Sequence, residues 1–140
     1  RKRSRSLLSE PEWLDASLLI DLNFYQVGQT GESHQLLFKD KLEAALERPK
    51  NLYYYDGQDD LVILTTMLMI AVGQAHAFEQ GNKRTAFAAG IAFLRINGYE
   101  LNPSLDSEYL ADELTAAIIG DAPEFDALYD LLHDFVEEAP

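Results

Sequence analysis

A chain of 140 residues with 47% apolar content is sized for one domain with one buried core, which argues against a two-domain reading. Eleven basic residues against 24 acidic leave a net charge of −13, which repels phosphate backbones and anionic membranes and argues against both as partners. The absence of cysteine excludes a disulfide framework, a thiolate metal site and a cysteine nucleophile.

The chain opens on RKRSR, which carries four of the eleven positive charges, so residues 6–140 hold seven basic residues against 24 acidic. Residues 1–12 are expected to form a solvated, disordered basic tail, the functional alternative being an arm for an acidic partner or a nuclear import signal. Only Leu7 and Leu8 follow before Glu10 and Pro11, too short an apolar run for a signal peptide. The cytoplasm is therefore the expected location, and residues 13–140 are expected to be a single domain.

Leu14, Leu18, Leu19, Leu22 and Tyr25 follow helical spacing, with Asp15 placed to cap the helix and Gly28 to end it. Residues 28–39 contain two glycines and then Leu36, Leu37 and Phe38 without helical period, which predicts a loop or a short hairpin. Residues 40–48 predict a short second helix that Pro49 stops, because proline excludes its predecessor from helical geometry. Tyr53, Tyr54 and Tyr55 then fall in a connection, where they pack a loop onto the core.

Asp59 and Asp60 favour the positive end of a following helix that is apolar on nearly every face as far as Ala75, so that helix must be central. Its most apolar stretch, residues 61–73, is too short for the roughly 20 residues of a membrane span. A second central helix resumes at Asn82 and closes at Asn97 and Gly98, and its small residues Ala86, Ala89, Gly90 and Ala92 predict close antiparallel packing on the first. Asp106 or Ser107 caps a helix to about Ile119, and the spacing of Phe125, Leu128, Leu131, Leu132, Phe135 and Val136 predicts a final amphipathic one. The fold class is all-α, with about six helices.

Between the two central helices lies HAFEQGNKR, residues 76–84. Gly81 frees the backbone and Asn82 opens the next helix, whose unpaired N–H groups and dipole favour phosphate oxygens. Lys83 and Arg84 add charge at that rim, and Asn82 offers an amide. His76, at the other end of the loop, could take a proton from an attacking hydroxyl, the usual role of an imidazole in general-base catalysis. Phe78 is expected to turn inward and anchor the loop. Taken singly, each residue is better explained by helix capping or surface charge.

Together they resemble the signature of the Fic/Doc family, which runs His, any residue, Phe, any residue, Asp or Glu, Gly or Ala, Asn, Gly or Lys, Arg. KLEAALERPKN at 41–51 and LRINGYEL at 94–101 resemble the flanks of that motif in the family's Doc branch. The resemblance implies a Fic-fold helical bundle with a central antiparallel pair and a flap at residues 28–38 that docks a target segment by strand addition. It implies His76 as catalytic base, Lys83 and Arg84 as catalytic charges, and Gly81, Asn82, Lys83 and Arg84 as the nucleotide phosphate site. AMP-transferring members carry Gly after the motif Asn and a second Arg three residues past the first; here those positions are Lys83 and Phe87. The Doc-type reaction follows: transfer of the gamma-phosphoryl of ATP to a Thr or Ser hydroxyl, with elongation factor Tu as the family's target and a halt of translation as the outcome.

The family's magnesium-binding acid falls at position 80, where this chain has Gln80, and Glu79 stands in the variable position beside it. Three readings stay open: Mg2+ held through Gln80 and water, Mg2+ held by Glu79 after a local rearrangement, or a degenerate module that binds nucleotide or partner without catalysis. An AMP transferase is the remaining alternative. Family inhibitory helices show Ser or Thr, three residues, Glu, then Gly or Asn; Ser6 to Glu10 and Ser104 to Glu108 have the spacing but are followed by Pro11 and Tyr109. Inhibition in trans by a Phd-like antitoxin is then implied. His34 and His133 are read as non-catalytic, with His34 placed to touch a target from the flap.

Overall fold

The computed structural model describes residues 6–140, so the cluster RKRSR lies outside the described residues. The order of elements is α1 (Ala16–Gly28), α2 (Lys39–Asp56), α3 (Leu61–Ala75), α4 (Asn82–Ile96), β1 (Tyr99–Leu101), α5 (Ser107–Ile119), α6 (Ala122–Phe135) and β2 (Val136–Glu138). Six helices and one two-stranded antiparallel sheet make a mostly helical fold, as the periodicity predicts. No helix among the described residues is long and apolar enough to cross a membrane.

The caps are those that the polar residues before each apolar run prescribe. Asp15, Asp60 and Asp106 accept from the main-chain N–H groups of Leu18, Val62 and Glu108, satisfying donors that have no partner inside the helix. Asp121 and Glu124 form a reciprocal capping box at the start of α6.

Helix α3 is the axis of the core, with Leu61, Val62, Leu64, Leu68, Met69 and Val72 all at or below 2% exposure. It packs most extensively on α4 and α2, and also meets α5 and α6. Its pairing with α4 is antiparallel: Gly73 faces Ala86 while Met69 faces Gly90, so contacts run in opposite directions along the two segments. Glycine at 90 allows this approach, since a Cβ there would lie 2.5 Å from Met69 Sδ.

Three expectations are corrected. Pro49 does not stop α2; the helix runs on to Asp56, carrying Tyr53, Tyr54 and Tyr55, and ends on left-handed Gly57. An internal proline costs about 3 kcal/mol through its missing N–H and ring clash. Burial of Leu42, Ala45, Leu46 and Pro49 in the extensive packing of α2 on α3 offsets that cost. Secondly, the two strands do not form the flap: they pair Tyr99 with Glu138 and Leu101 with Val136, closing the segment after α4 onto the one after α6. Residues 29–38, after α1 ends at Gly28, form a loop without strands, and one antiparallel bridge joins Leu36 to Phe78. Finally, the part of the expected tail from residue 6 onward lies against the body. Ser6 bridges to Asp60, Leu7 N–H donates to Asp59 O at 2.9 Å, and Glu12 N–H donates to Asn97 Oδ1 at 2.8 Å.

Candidate active site

The connection between α3 and α4 is built from both ends. His76 ends α3 in the left-handed region, at φ 46, and is the one non-glycine residue with positive φ among the described residues. That conformation costs a side-chain-bearing residue on the order of 1 kcal/mol, so the surrounding structure must impose it. Gly81 precedes α4 at φ 76, where a Cβ would come within 2.9 Å of Val27 Cγ1. Between them Ala77 and Phe78 are buried at 1% and 2% exposure, while His76, Glu79 and Gln80 are exposed.

The loop is fixed by its own motif asparagine. Asn82 Oδ1 accepts from Phe78 N–H at 3.1 Å and Asn82 Nδ2 donates to Phe78 O at 2.8 Å. Its amide therefore shapes the loop from within, a positioning task that the sequence reading did not assign to it. A second clamp comes from α1, and the sequence reading missed it. Asn23 is fully buried, and its Nδ2 donates to Gln80 O at 2.8 Å and to Thr85 Oγ1 at 3.0 Å. A carbonyl oxygen can only accept, which fixes the Asn23 amide and makes His34 Nδ1–H the donor to Asn23 Oδ1 at 2.8 Å. The available signal was an asparagine in the buried stripe Leu19, Asn23, Val27, where an apolar side chain is the norm.

The loop at 28–38 rests on the outside of this connection. Leu37 and Phe38 N–H both donate to Ala77 O, at 2.7 and 3.0 Å, and Glu79 N–H donates to Gln35 O at 3.0 Å. His34 is half-buried, edge-on to Phe24 and tied to Asn23, so it supports the loop from beneath. His133 is buried beside Tyr129, in α6, apart from this site.

A cavity of about 380 Å³ opens where α3, α4 and α5 meet. His76, Glu79, Gln80, Gly81, Asn82 and Lys83 line it, with Gly73 and the end of α5 opposite. Gly81 gives α4 no side-chain cap, and the first main-chain bond runs from Thr85 N–H to Gly81 O at 2.9 Å. The N–H groups of Asn82, Lys83 and Arg84 thus lie ahead of the helical ladder, beside the cationic Lys83, an arrangement suited to anionic oxygens. Glu79 and Gln80, neighbours in the loop, both line this cavity.

Arg84 does not line the cavity. Its guanidinium pairs with Glu32, and donates to Thr30 Oγ1 at 3.0 Å and to Gln26 O at 3.4 Å, fastening α4 to the loop after α1. The Thr30 hydroxyl, then Arg84, holds the Glu32 carboxyl below its ordinary pKa.

For a magnesium ion the donor chemistry is sparse: no group of three or more His, Cys, Asp or Glu side chains exists among the described residues. Mg2+ bound with a nucleotide commonly takes one or two carboxylates plus phosphate oxygens. Glu79 supplies one carboxylate on the cavity wall and Gln80 a neutral oxygen, so the residues meet the lower limit of that requirement.

A profile of the Fic/DOC family matches residues 13–94. The Toxin Doc of Mycolicibacterium smegmatis is 38% identical over 72 residues, covering 51% of this chain and 55% of the relative. The Protein kinase doc of Escherichia phage P1 is 32% identical over 81 residues, covering 58% of this chain and 62% of that protein. The chain thus matches somewhat more than half the length of each.

Proposed function

The chain belongs to the Fic/DOC family, and on that premise we propose that it is a Doc-type toxin that transfers the gamma-phosphoryl of ATP to a Thr or Ser hydroxyl of a translation protein. The observation that carries this reading is that His76 shares one cavity with the uncapped start of α4 and with Lys83. A proton acceptor and an anion-binding helix start then face the same volume.

In this reading the phosphates of ATP rest on the N–H groups at 82–84, with the Lys83 ammonium offsetting their charge. His76 accepts the proton of the acceptor hydroxyl. Its oxygen forms a bond to the gamma phosphorus as the bond to the bridging oxygen breaks, and ADP leaves. Catalysis of this kind asks the protein for position and charge more than for covalent chemistry. Glu79, with help from Gln80, would hold Mg2+, and the chemistry supplied there would be neutralisation of phosphate charge. Elongation factor Tu is the proposed target by family resemblance, a Phd-like antitoxin the proposed inhibitor in trans, and the cytoplasm the proposed location.

Gln80 in the family's acidic position favours a second reading, a degenerate module that binds nucleotide or partner without transfer. An AMP transferase is the third, and Lys83 and Phe87 count against it. Incubation with elongation factor Tu and ATP labelled at the gamma or the alpha phosphate separates them. Gamma label on the target, absent with His76→Ala, is the expected result. Alpha label would establish AMP transfer. No label from either, even with Gln80→Asp, would leave the binding module.

A further inference from the structure

Arg84 stands beside the cavity at the start of α4, yet its guanidinium is held on the loop after α1. We propose that Glu32 and the phosphates of ATP compete for Arg84, so that the Glu32–Arg84 pair is a latch that nucleotide opens. The inference rests on the reading that nucleotide phosphates bind at the start of α4. It adds how that site is regulated and what its filling does to the neighbouring loop.

The reach follows from the backbone. Arg84 is the third residue of α4, in the turn whose N–H groups lie ahead of the helical ladder. Its Nη2 lies 3.6 Å from where a Cβ on Gly81 would stand, and Gly81 lines the cavity. Glycine puts no side chain between the guanidinium and that wall. Rotation about the arginine side-chain bonds can then carry the charge to the cavity rim while α4 stays in place.

The exchange follows from charge. Glu32 offers one carboxylate, and the side chains of Arg84 and Glu32 are 37% and 33% exposed, so water weakens the attraction. The other two acceptors are neutral: Thr30 Oγ1 at 3.0 Å and Gln26 O at a long 3.4 Å. A triphosphate gathers several negative charges in one place, and its oxygens match the planar fork of a guanidinium. The Thr30 hydroxyl also donates to Glu32, which keeps the carboxylate positioned to take Arg84 back when nucleotide leaves.

The consequence falls on one half of the loop. Residues 35–38 are bonded to the α3–α4 connection through main chain, Leu37 and Phe38 to Ala77 and Gln35 to Glu79. Residues 29–32 are different. Their main-chain bonds run back to α1 at Tyr25, Val27 and Gly28, and among the described residues the hydrogen bonds that tie them to α4 all come from Arg84. Opening the latch therefore releases the tip at 29–32 from α4 and leaves 35–38 fixed.

The test is a double-mutant cycle read by the affinity of a fluorescent ATP analogue. Glu32→Gln is expected to bind it about two- to fivefold more tightly than the wild type, and Glu32→Asp to stay near wild type. In an Arg84→Ala chain, Glu32→Gln is expected to add nothing. A fluorescent adenosine analogue, which carries no phosphate, should show no gain with Glu32→Gln. In the 15N-labelled wild type, a non-hydrolysable ATP analogue is expected to shift the Arg84 Nε–H signal and the Thr30 and Glu32 amides, and the Leu37 and Phe38 amides less. No gain with Glu32→Gln, the same gain with and without Arg84, or an Arg84 Nε–H signal unmoved at saturation would overturn the proposal. The expected cycle with no gamma label on any target would defeat the transferase reading alone. Gamma transfer with any of the three contrary results would defeat the latch alone, and chains that bind no ATP analogue would defeat both.

Discussion

The buried side-chain amide of Asn23 donates to the main-chain oxygen of Gln80 at 2.8 Å, so a residue of the first helix holds the loop that carries the proposed chemistry 57 positions later. The same amide reaches Thr85 and His34, and thereby joins α1, the connection, α4 and the outer loop. Asn23→Leu leaves the buried Thr85 hydroxyl and the part-buried Gln80 carbonyl without this donor, at a cost of about 1–3 kcal/mol for the buried group. The expected outcome is a lower urea midpoint together with faster hydrogen exchange at residues 76–81; unchanged exchange there would show that the loop holds itself.

His76 has a strained backbone, and the proposed function makes it the proton acceptor. His76→Gly and His76→Ala should both lose phosphoryl transfer by roughly 10²–10⁴-fold. Their stabilities should differ, since only glycine adopts positive φ at no steric cost, and the glycine variant is expected to be the more stable by about 1 kcal/mol. Thermal denaturation of the pair checks this, and equal stabilities would contradict the strain.

The Glu32–Arg84 pair has a defined pH response. The Thr30 hydroxyl first and Arg84 second lower the Glu32 pKa, so the folded state holds the carboxylate more tightly than the unfolded chain does. Its stabilising effect is present above the unfolded pKa and is lost as pH falls through the lowered folded value. The pair should persist below the ordinary glutamate range in a carboxyl titration by NMR, and Arg84→Ala should move the Glu32 titration back toward that range.

A magnesium titration tests the proposed metal roles of Glu79 and Gln80. Glu79→Gln removes the carboxylate of this pair that faces the cavity, and should raise the Mg2+ concentration for half-maximal transfer by about tenfold, the scale expected for a lost charged ligand. Gln80→Asp should lower that concentration. If Glu79→Gln leaves the magnesium titration in place, Glu79 is not a ligand.

Close approach of the central helices predicts a sharp steric effect at one position. In Gly90→Ala the new methyl would lie 2.5 Å from Met69 Sδ and 2.6 Å from its Cγ, and overpacking of this kind costs about 1–3 kcal/mol. Met69→Ala in the same chain should recover part of the loss, because it removes both clashing atoms. A double-mutant cycle by chemical denaturation measures the coupling.

Most of the helices were legible because their signals are local. The aspartates at 15, 60 and 106 stand directly before apolar runs of helical period, and each accepts a hydrogen bond from the first turn that follows. Residues 76–81 were legible as the connection between two buried helices for the same reason. The run of α2 past Pro49 was not, since the local preference of proline is overcome by packing against α3, a segment the local pattern does not contain. Nor was the pairing of Tyr99–Leu101 with Val136–Glu138, because three-residue strands have too little alternation to announce themselves and their register depends on where α6 ends.

By itself the sequence determined the helical class, the central pair and the residues of the loop from His76 to Arg84, because period, caps and motif are written in neighbouring positions. Tertiary structure alone decided what those residues touch. It paired Arg84 with Glu32, set Asn82 to bracing Phe78, brought Glu79 and Gln80 to one cavity and placed Asn23 beneath the loop. Side-chain partners across tens of residues follow from how the helices pack, and one segment read alone does not contain the neighbour that satisfies its buried polar groups.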